Sequence, residues 1–557
     1  MTRTPVVMEP LDAADPYARM AQVNPVLAAE QIERIAAFGA KEVVPSDSWL
    51  FRRGQRGRDF TVVLSGSIEI CDVDDHGDER VIIVHGPGQF TGELDLFTDH
   101  PILVSARTGA DTRLVRVPRA EFHRMLAAEP DIAEIVIRAY ILRRVALVRH
   151  SLAGVIVVGA AHSADTLRVQ TFLTRSGYPH RMLDSEHPGE AQGMLEAFAL
   201  SEDDLPVVIE PGGRVLKNPS NAELAVALGI TESLSPDHVY DVAVVGAGPA
   251  GLAAAVYAAS EGLDTIVLEG SAPGGQAATS SKIENYLGFP TGISGQSLTA
   301  RAWVQAQKFG AKFAVSRTAI GVDCPRSPYR VRLEGDQSVR ARTIVVATGA
   351  RYRKLDIPGY ARFEGQGIHY AATAMEASLC AGNEVVVVGA GNSAGQAAVF
   401  LARTTRHVHL VVRGAGLAAT MSQYLVERIQ ASPRITIHAH CEVTALAGET
   451  SLREVTWTDR RTGASETRAV GAMFTMIGAV PSTEWLGGCV ELDDKGFVVT
   501  GKSREGRPLT SPFETNVPGV FAVGDVRSGS TKRVAASVGE GSVVVQAIHR
   551  HLDPSHT

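Results

Sequence analysis

The pattern of apolar and polar positions divides the chain into stretches of different character. After a mostly helical start, residues 40 to 116 read as short strands separated by turns. Thr61–Ile70 and Arg80–Gly88 have strand composition and turn glycines, Gly86–Phe97 follows, and Thr112–Val117 is again strand-like. A helical stretch from Arg119 to about Arg149 closes this part. Val155–Gly159 is a continuous apolar run, as expected of a buried strand, followed by a helical pattern from about Asp165 to Arg175. His180–Asp184, the segment Leu205–Ser220 and a helix through Leu228 complete a second part. Ser235, Pro236 and Asp237 read as a linker.

Beyond residue 238 the pattern changes. Val242–Val245 is an apolar run short enough for a buried parallel strand, followed by an alanine-rich helix and a second apolar strand ending in Glu269. Pro273–Pro290 is too polar for a strand and too rich in glycine for a helix, so a loop is expected. Thr343–Ala350 is another buried strand ending in a glycine turn. Asn383–Ala402 repeats the strand, turn and helix, and His407–Gly414 supplies a second strand. The chain then passes through Phe474–Pro481 and Val517–Gly529 to a final helix. Residues 242 to 259 are apolar enough to suggest a membrane helix, but Gly246-Ala-Gly-Pro249 would break one, so no transmembrane segment is expected.

Composition narrows the class. At 557 residues the chain is too long for one core, and three to five domains are expected. With 45% hydrophobic and 21% charged residues it has the make-up of a soluble globular protein, and a net charge of −7 argues against a nucleic-acid surface. The five cysteines, Cys71, Cys324, Cys380, Cys441 and Cys489, are scattered, with no Cys-x-x-Cys and no zinc spacing. That fits unpaired thiols in a reducing, cytoplasmic compartment, with no metal site. A polar N-terminus with Pro5, Glu9 and Asp12 does not resemble a signal peptide.

The chemistry is carried by two glycine turns. Gly246, Gly248 and Gly251 form Gly-x-Gly-x-x-Gly between strand and helix, with Pro249 and Ala250 opening the helix. The first glycine permits the tight turn, the second lets a pyrophosphate approach, and the third lets helix and strand pack closely. Glu269 lies where a carboxylate can accept from a ribose hydroxyl. Gly389, Gly391 and Ala394 repeat the signature, with Asn392 and Ser393 between them. Two such turns imply two dinucleotide cofactors. The strand after the second turn ends Val411-Val-Arg413-Gly414, without the acid that would favour NADH, so NADPH is expected and NADH is the alternative.

Three family resemblances follow. Leu64-Ser-Gly66 and Phe90-Thr-Gly-Glu-Leu94, within the strand-rich order, resemble the cyclic nucleotide-binding domain, a small β-barrel followed by helices. The resemblance makes Gly92, Glu93 and Leu94 the ligand cassette, with Glu93 on the ribose hydroxyl. The family's phosphate-binding arginine is missing, because Ile102 follows Pro101; Arg107 is nearby. Binding of a cyclic nucleotide therefore stands beside docking, dimerisation or another ligand as roles for the barrel. The β-α-β…β-β-α order of the second part resembles the thioredoxin/glutaredoxin fold, with Leu205-Pro206-Val207 at its cis-proline position. The position of its redox pair has no cysteine, and His162 is the only reactive-type side chain there, so a redox-inactive adaptor is expected.

The nested turns closely resemble thioredoxin-reductase-like flavoproteins. Gly274-Gly275-Gln276, Ile283–Tyr286, Ala347-Thr348-Gly349, Ile477–Pro481 and Val523-Gly524-Asp525 carry the match. The resemblance implies FAD on the first fold: Gly246 and Gly248 at the pyrophosphate, Glu269 at the ribose, Gln276 and Asn285 near the isoalloxazine, and Asp525 on the ribityl hydroxyls. Arg533, Val534 and Ala535 stand beside the ring in the place of the family's Arg-Gln-Ala. The fold class is thus multidomain: a β-barrel with helices (1–150), a thioredoxin-like α/β domain and linker (151–237), an FAD-binding Rossmann-like domain (238–355 and 469–557) and a nested NAD(P)-binding one (356–468). A homodimer is expected.

One departure decides the chemistry. Where disulfide reductases of this group carry Cys-Ala-Thr-Cys, the chain reads Gly367-IHYAATAMEA-Ala377, with Ala371 and Ala374 in both cysteine positions. Thiolates carry thiol–disulfide exchange and alanine cannot replace them. Hydride transfer from a nicotinamide to FAD needs no cysteine. The expected function is an NAD(P)H-dependent FAD oxidoreductase with a non-disulfide acceptor, a redox protein or a small molecule, with the N-terminal domain as a candidate regulator. The alternatives are a flavin- or ligand-dependent sensor or scaffold, and a disulfide reductase using cysteines outside the usual motif.

Overall fold

The computed structural model of the chain describes residues 9–12, 15–73, 79–97, 101–109, 111–187, 189–210, 213–280, 283, 285–324, 326–364, 366–370, 372, 374–418, 420–502, 505–509 and 511–553. They fall into two compact units. Residues 1–161 and 168–233 make up most of the first, and residues 234–306 and 311–557 most of the second.

In the first unit two antiparallel sheets face a shared apolar interior. One has the order Ala40–Val44, Thr112–Val117, Phe60–Ser65; the other runs Trp49–Phe51, Ser105–Thr108, Ile68–Val73, Glu79–His85. Phe60, Phe90, Phe122 and Tyr140 are fully buried between the first sheet and the helices Arg119–Ala128 and Pro130–Arg149. Arg107, whose facing the sequence left open, is buried and bonds Glu69 at 3.0 Å and Glu79 at 3.1 Å. A separate four-stranded sheet follows, in the order Val215–Lys217, Val207–Ile209, Val155–Gly159, His180–Asp184. Only its last pair is parallel, and the Leu205–Pro206 bond is cis.

The second unit holds the two glycine turns. The strand Val239–Val245 lies between Thr265–Glu269 and Gln337–Val346, all parallel, in a sheet of seven strands. Both faces of this strand are covered, which is why Val242 to Val245 reads as unbroken apolar sequence. The helix Pro249–Ser260 packs on the final helix Val534–Leu552 so closely that a Cβ at Gly541 would lie 2.2 Å from the Ala250 carbonyl oxygen. The inserted fold has its own parallel sheet in the order Ile368–His369, Ala472–Thr475, Glu384–Val388, His407–Val412, Ile435–Ala439. Ala472–Thr475 is thus an inner strand of the insert, which reaches past the boundary expected at residue 468. Two short antiparallel strands, Ala350–Tyr352 and Ala479–Pro481, join the insert to the first fold. No helix among the described residues is long and apolar enough to cross a membrane.

The expectation of five unpaired thiols is corrected. Cys324 and Cys489 form a disulfide, with Cα atoms 5.9 Å apart, while Cys71, Cys380 and Cys441 are buried and belong to no disulfide. Cys324 follows the edge strand Ala319–Asp323, and Cys489 follows the turn Glu484–Leu486. Trp485, Leu486 and Val322 share one apolar core, which brings the two together. The cysteines are 165 residues apart, too far for their spacing to signal a pair. Non-reducing peptide mapping should recover Cys324 and Cys489 linked and the other three as thiols. Cys489→Ser should lower the thermal midpoint of this unit, by loss of roughly 3 kcal/mol from an opened long loop.

Candidate functional site

The first turn is built by crowding. Gly246 has φ +105, and a Cβ there would meet the Ala347 carbonyl oxygen at 2.4 Å; one at Gly251 would lie 1.8 Å from the Gly246 carbonyl oxygen. Gly248 differs: the nearest atom to its Cβ position is Gly275 Cα at 3.9 Å. A backbone with open space between two crowded glycines is a cradle for a group that must come close. Gly248 caps the helix and Pro249 takes its first position, where the missing N–H removes no helical bond. The Glu269 carboxylate accepts from the Ala247 amide at 2.8 Å and the Ser271 amide at 2.9 Å, which fixes it beside the turn.

Other expected residues gather around this turn. Gly274 N–H donates to the Ala247 carbonyl at 2.7 Å, which holds Gly275 against Gly248. The Gln276 side-chain amide donates to the Ala350 carbonyl. Ala347 N–H donates to the Val245 carbonyl, and Thr348 Oγ1 donates to the Ser482 carbonyl at 2.7 Å. Gly349, at φ +62, accepts from the Ser482 amide. Gly524 packs against Ala250. Its amide donates at 2.6 Å to Glu540, which also pairs with Arg527. Glu540 was not singled out in the sequence: it sits sixteen residues beyond Gly524, mid-helix, without a motif. Asp525 is half-buried, and desolvation pushes its carboxyl above the usual range, with Lys532 opposing and Glu540 reinforcing the shift. Arg533 caps the final helix and is exposed, with Val534 and Ala535 as its first residues. Asn285 is exposed and does not line the cleft described next.

The second turn repeats the geometry. Gly389, at φ +141, would place a Cβ 2.3 Å from the Met476 carbonyl oxygen, whereas the nearest atom to a Cβ at Gly391 is 4.0 Å away. Ala394 is fully buried in the helix Asn392–Leu401, and Asn392 Oδ1 accepts from the Ser422 amide at 2.7 Å. A cleft of about 1800 Å³ opens here. Gly391, Asn392, Ser393 and Arg413 line one end, and Gln276, Asp525 and Lys532 of the first fold line the other. Arg353 and Lys354 also line it, from the segment after the joining strand. Their only sequence signal is the basic run after Ala350. The cleft therefore runs continuously from the second turn to residues expected beside the flavin.

No cysteine lines this cleft among the described residues. Ala371 lies outside the described residues, and Ala374 opens the helix Ala374–Leu379. Cys380, in the same region, is 1% exposed and its thiol donates to the Glu376 carbonyl at 2.8 Å. Burial, with Glu376 adding to it, pushes this thiol up to about 12, so it is protonated at neutral pH. Burial raises Cys441 as well. No group of three or more His, Cys, Asp or Glu residues among the described ones is arranged for a metal ion.

The profile of the family described as pyridine nucleotide-disulphide oxidoreductase matches residues 240–541, more than half of the chain. The chain belongs to this family. A second profile, the cyclic nucleotide-binding domain, matches residues 41–129. Thioredoxin reductase of Treponema pallidum is 35% identical over 315 residues, which cover 56% of this chain and 97% of that protein. Thioredoxin reductase of Bacillus subtilis is 31% identical over 321 residues, 58% of this chain and 97% of that one. The solved structure of Lactococcus lactis thioredoxin reductase aligns with TM-score 0.51 and 28% identity, covering 56% of this chain and 98% of that one. That of T. acidophilum thioredoxin reductase aligns with TM-score 0.52 and 28% identity, over 56% and 98%.

As a pyridine nucleotide-disulphide oxidoreductase of thioredoxin-reductase type, the chain is an NAD(P)H flavoprotein oxidoreductase, and its relatives bind FAD and NADPH. The open positions at Gly248 and Gly391 fit two phosphate-bearing cofactors. Gly389→Ala should destabilise the inserted fold by about 1–3 kcal/mol, through a strained φ and a carbonyl clash. Gly391→Ala should leave the thermal midpoint unchanged but weaken NADPH binding on the order of tenfold, read by fluorescence titration.

Proposed function

We propose that the chain passes electrons from NAD(P)H through FAD to an acceptor other than a disulfide. The observation that carries this reading is the cysteine-free cleft joining the second glycine turn to Gln276, Asp525 and Lys532. FAD, when bound, takes two electrons from a nicotinamide and can release them singly or as a pair. The open backbone at Gly248 and the helix start at Pro249 and Ala250 receive its pyrophosphate, and Glu269, already oriented by two amides, accepts from its ribose. Gln276 is held by the Ala350 carbonyl at the flavin end of the cleft. Asp525 offers a carboxylate to the ribityl chain, and Arg533, Val534 and Ala535 begin the helix beside it. Gly391, Asn392 and Ser393 receive the nicotinamide cofactor's pyrophosphate. Arg413, exposed at that end of the cleft, pairs with a 2′-phosphate and sets the preference for NADPH.

The segment 367–377 offers no thiol, and Cys380 is buried and protonated, so electrons leave by another route. A redox protein or a quinone-like small molecule fits a flavin that needs no thiol partner. We further assign residues 151–233 to a thioredoxin-like adaptor, on the strength of its strand order and its lack of cysteine. A disulfide-reductase reading has one observation in its favour, the half-exposed Cys324–Cys489 pair.

Anaerobic NADPH should bleach the flavin of the purified protein, and a quinone or one-electron acceptor should restore its colour, whereas a protein disulfide should not. The double variant Cys324→Ser, Cys489→Ser should reoxidise at the wild-type rate. A rate lost in that variant would favour the disulfide reading, and absence of bleaching by either nicotinamide would reject the oxidoreductase. Arg413→Ala should raise KM for NADPH about tenfold and leave KM for NADH nearly unchanged.

A further inference from the structure

The sequence offers a ligand cassette at Gly92, Glu93 and Leu94, and in the folded chain the charges of Glu93 and the neighbouring Asp95 are already used. The Glu93 side chain is 6% exposed, and both of its oxygens accept from Arg144 of the helix Pro130–Arg149. Asp95 forms a buried ion pair with Arg58, each side chain 3% exposed. Arg143 donates to the carbonyls of Gly92 at 2.9 Å and Val23 at 3.0 Å, and to Asn24 Oδ1 at 3.3 Å. Tyr140 donates to the Thr91 carbonyl at 3.1 Å and lies so close that a Cβ at Gly92 would be 1.9 Å from its hydroxyl. Tyr140, Arg143 and Arg144 fall on one helix face by their spacing. Together they close that face onto residues 91–93.

The other wall of the segment is also covered. Ile102, Leu103 and Val104 are buried in a cluster with Leu147 and Leu152, and Tyr178 of the next fold packs against it. Arg144 also reaches the Gly177 carbonyl at 3.4 Å. Burial raises the Tyr178 hydroxyl, while Arg53 and Arg144 pull it back, which places the phenol near both guanidinium groups. A Cβ at Gly229 would lie 2.3 Å from Pro101. Arg53 donates to the carbonyls of Ala153 and Gly154, and Asp72 accepts from both Arg53 and the Ala153 amide at 2.9 Å. Every contact belongs to the first compact unit.

We propose that the cassette of the barrel is an internal docking surface whose partner is this chain's own residues Gly177, Tyr178 and Gly229, with Arg144 as the shared bolt between Glu93 and Gly177. An apolar residue at 102 suits a protein partner better than a phosphate, since Arg53, Arg58, Arg143 and Arg144 are already held by carboxylates and carbonyl oxygens of the chain itself. The barrel then serves as a scaffold that fixes the following fold, and cyclic nucleotides do not enter it.

Isothermal titration of the full chain with cyclic AMP and cyclic GMP should give no saturable binding up to about 1 mM. Hydrogen exchange of Tyr178→Ala should speed up on the order of tenfold in both 91–97 and 101–104 as well as around 176–180, because the two sides protect each other. Glu93→Gln, which keeps the shape and removes the charge, should do the same to a smaller degree. Saturable cyclic-nucleotide binding by the wild type would overturn the proposal. So would exchange in both variants that changes only on the mutated side.

Discussion

Two backbone oxygens govern the second unit. The Gly246 carbonyl occupies the space beside Gly251, and the Met476 carbonyl occupies the space beside Gly389. Each close approach lets a helix start directly against the end of a parallel strand, and each leaves the next glycine, Gly248 or Gly391, facing open space. The carboxylate of Glu269, the bond from Gly274 to Ala247 and the packing of Gly524 on Ala250 all assemble around the first turn. The final helix can lie on Pro249–Ser260 only because Gly541 and alanines form the contact. A methyl group at any of these points would push apart elements that otherwise position one end of the cleft.

The first unit is organised by the opposite means, buried charge. Arg58, Arg107 and Arg144 are each neutralised by a carboxylate, and Arg143 donates to carbonyl oxygens. Removing a single partner from such a set strands a desolvated charge, so these pairs fix geometry more than they add stability. The same fold that the sequence marks as a ligand-binding barrel thereby carries an interior with no cation left free among these four.

Local features were legible and distant ones were not. The strands around Val242, Val385 and Val408 announce themselves as apolar runs, because strands buried on both faces have no polar side. The glycine turns are legible because their constraint is confined to a few consecutive residues. The pairing of Glu93 with Arg144 spans 51 residues, and nothing near Arg144 distinguishes it from its helix neighbours Arg143 and Arg149. The Cys324–Cys489 bond depends on how an edge strand meets a turn beyond the inserted fold, which no spacing encodes. Asn285 belongs to a loop motif whose residues the sequence groups together, and it is exposed. The end of the insert is hidden for a similar reason: Ala472–Thr475 reads as a return strand, and only the sheet order makes it an inner one.

The central claim is that this family member holds a reducible flavin without a redox dithiol to unload it. An anaerobic reductive titration counts the electrons directly. The account predicts uptake of about two electrons per bound flavin, the capacity of the cofactor alone. Uptake of about four, with new thiols appearing as the flavin is reduced, would show a disulfide in the electron path and contradict it.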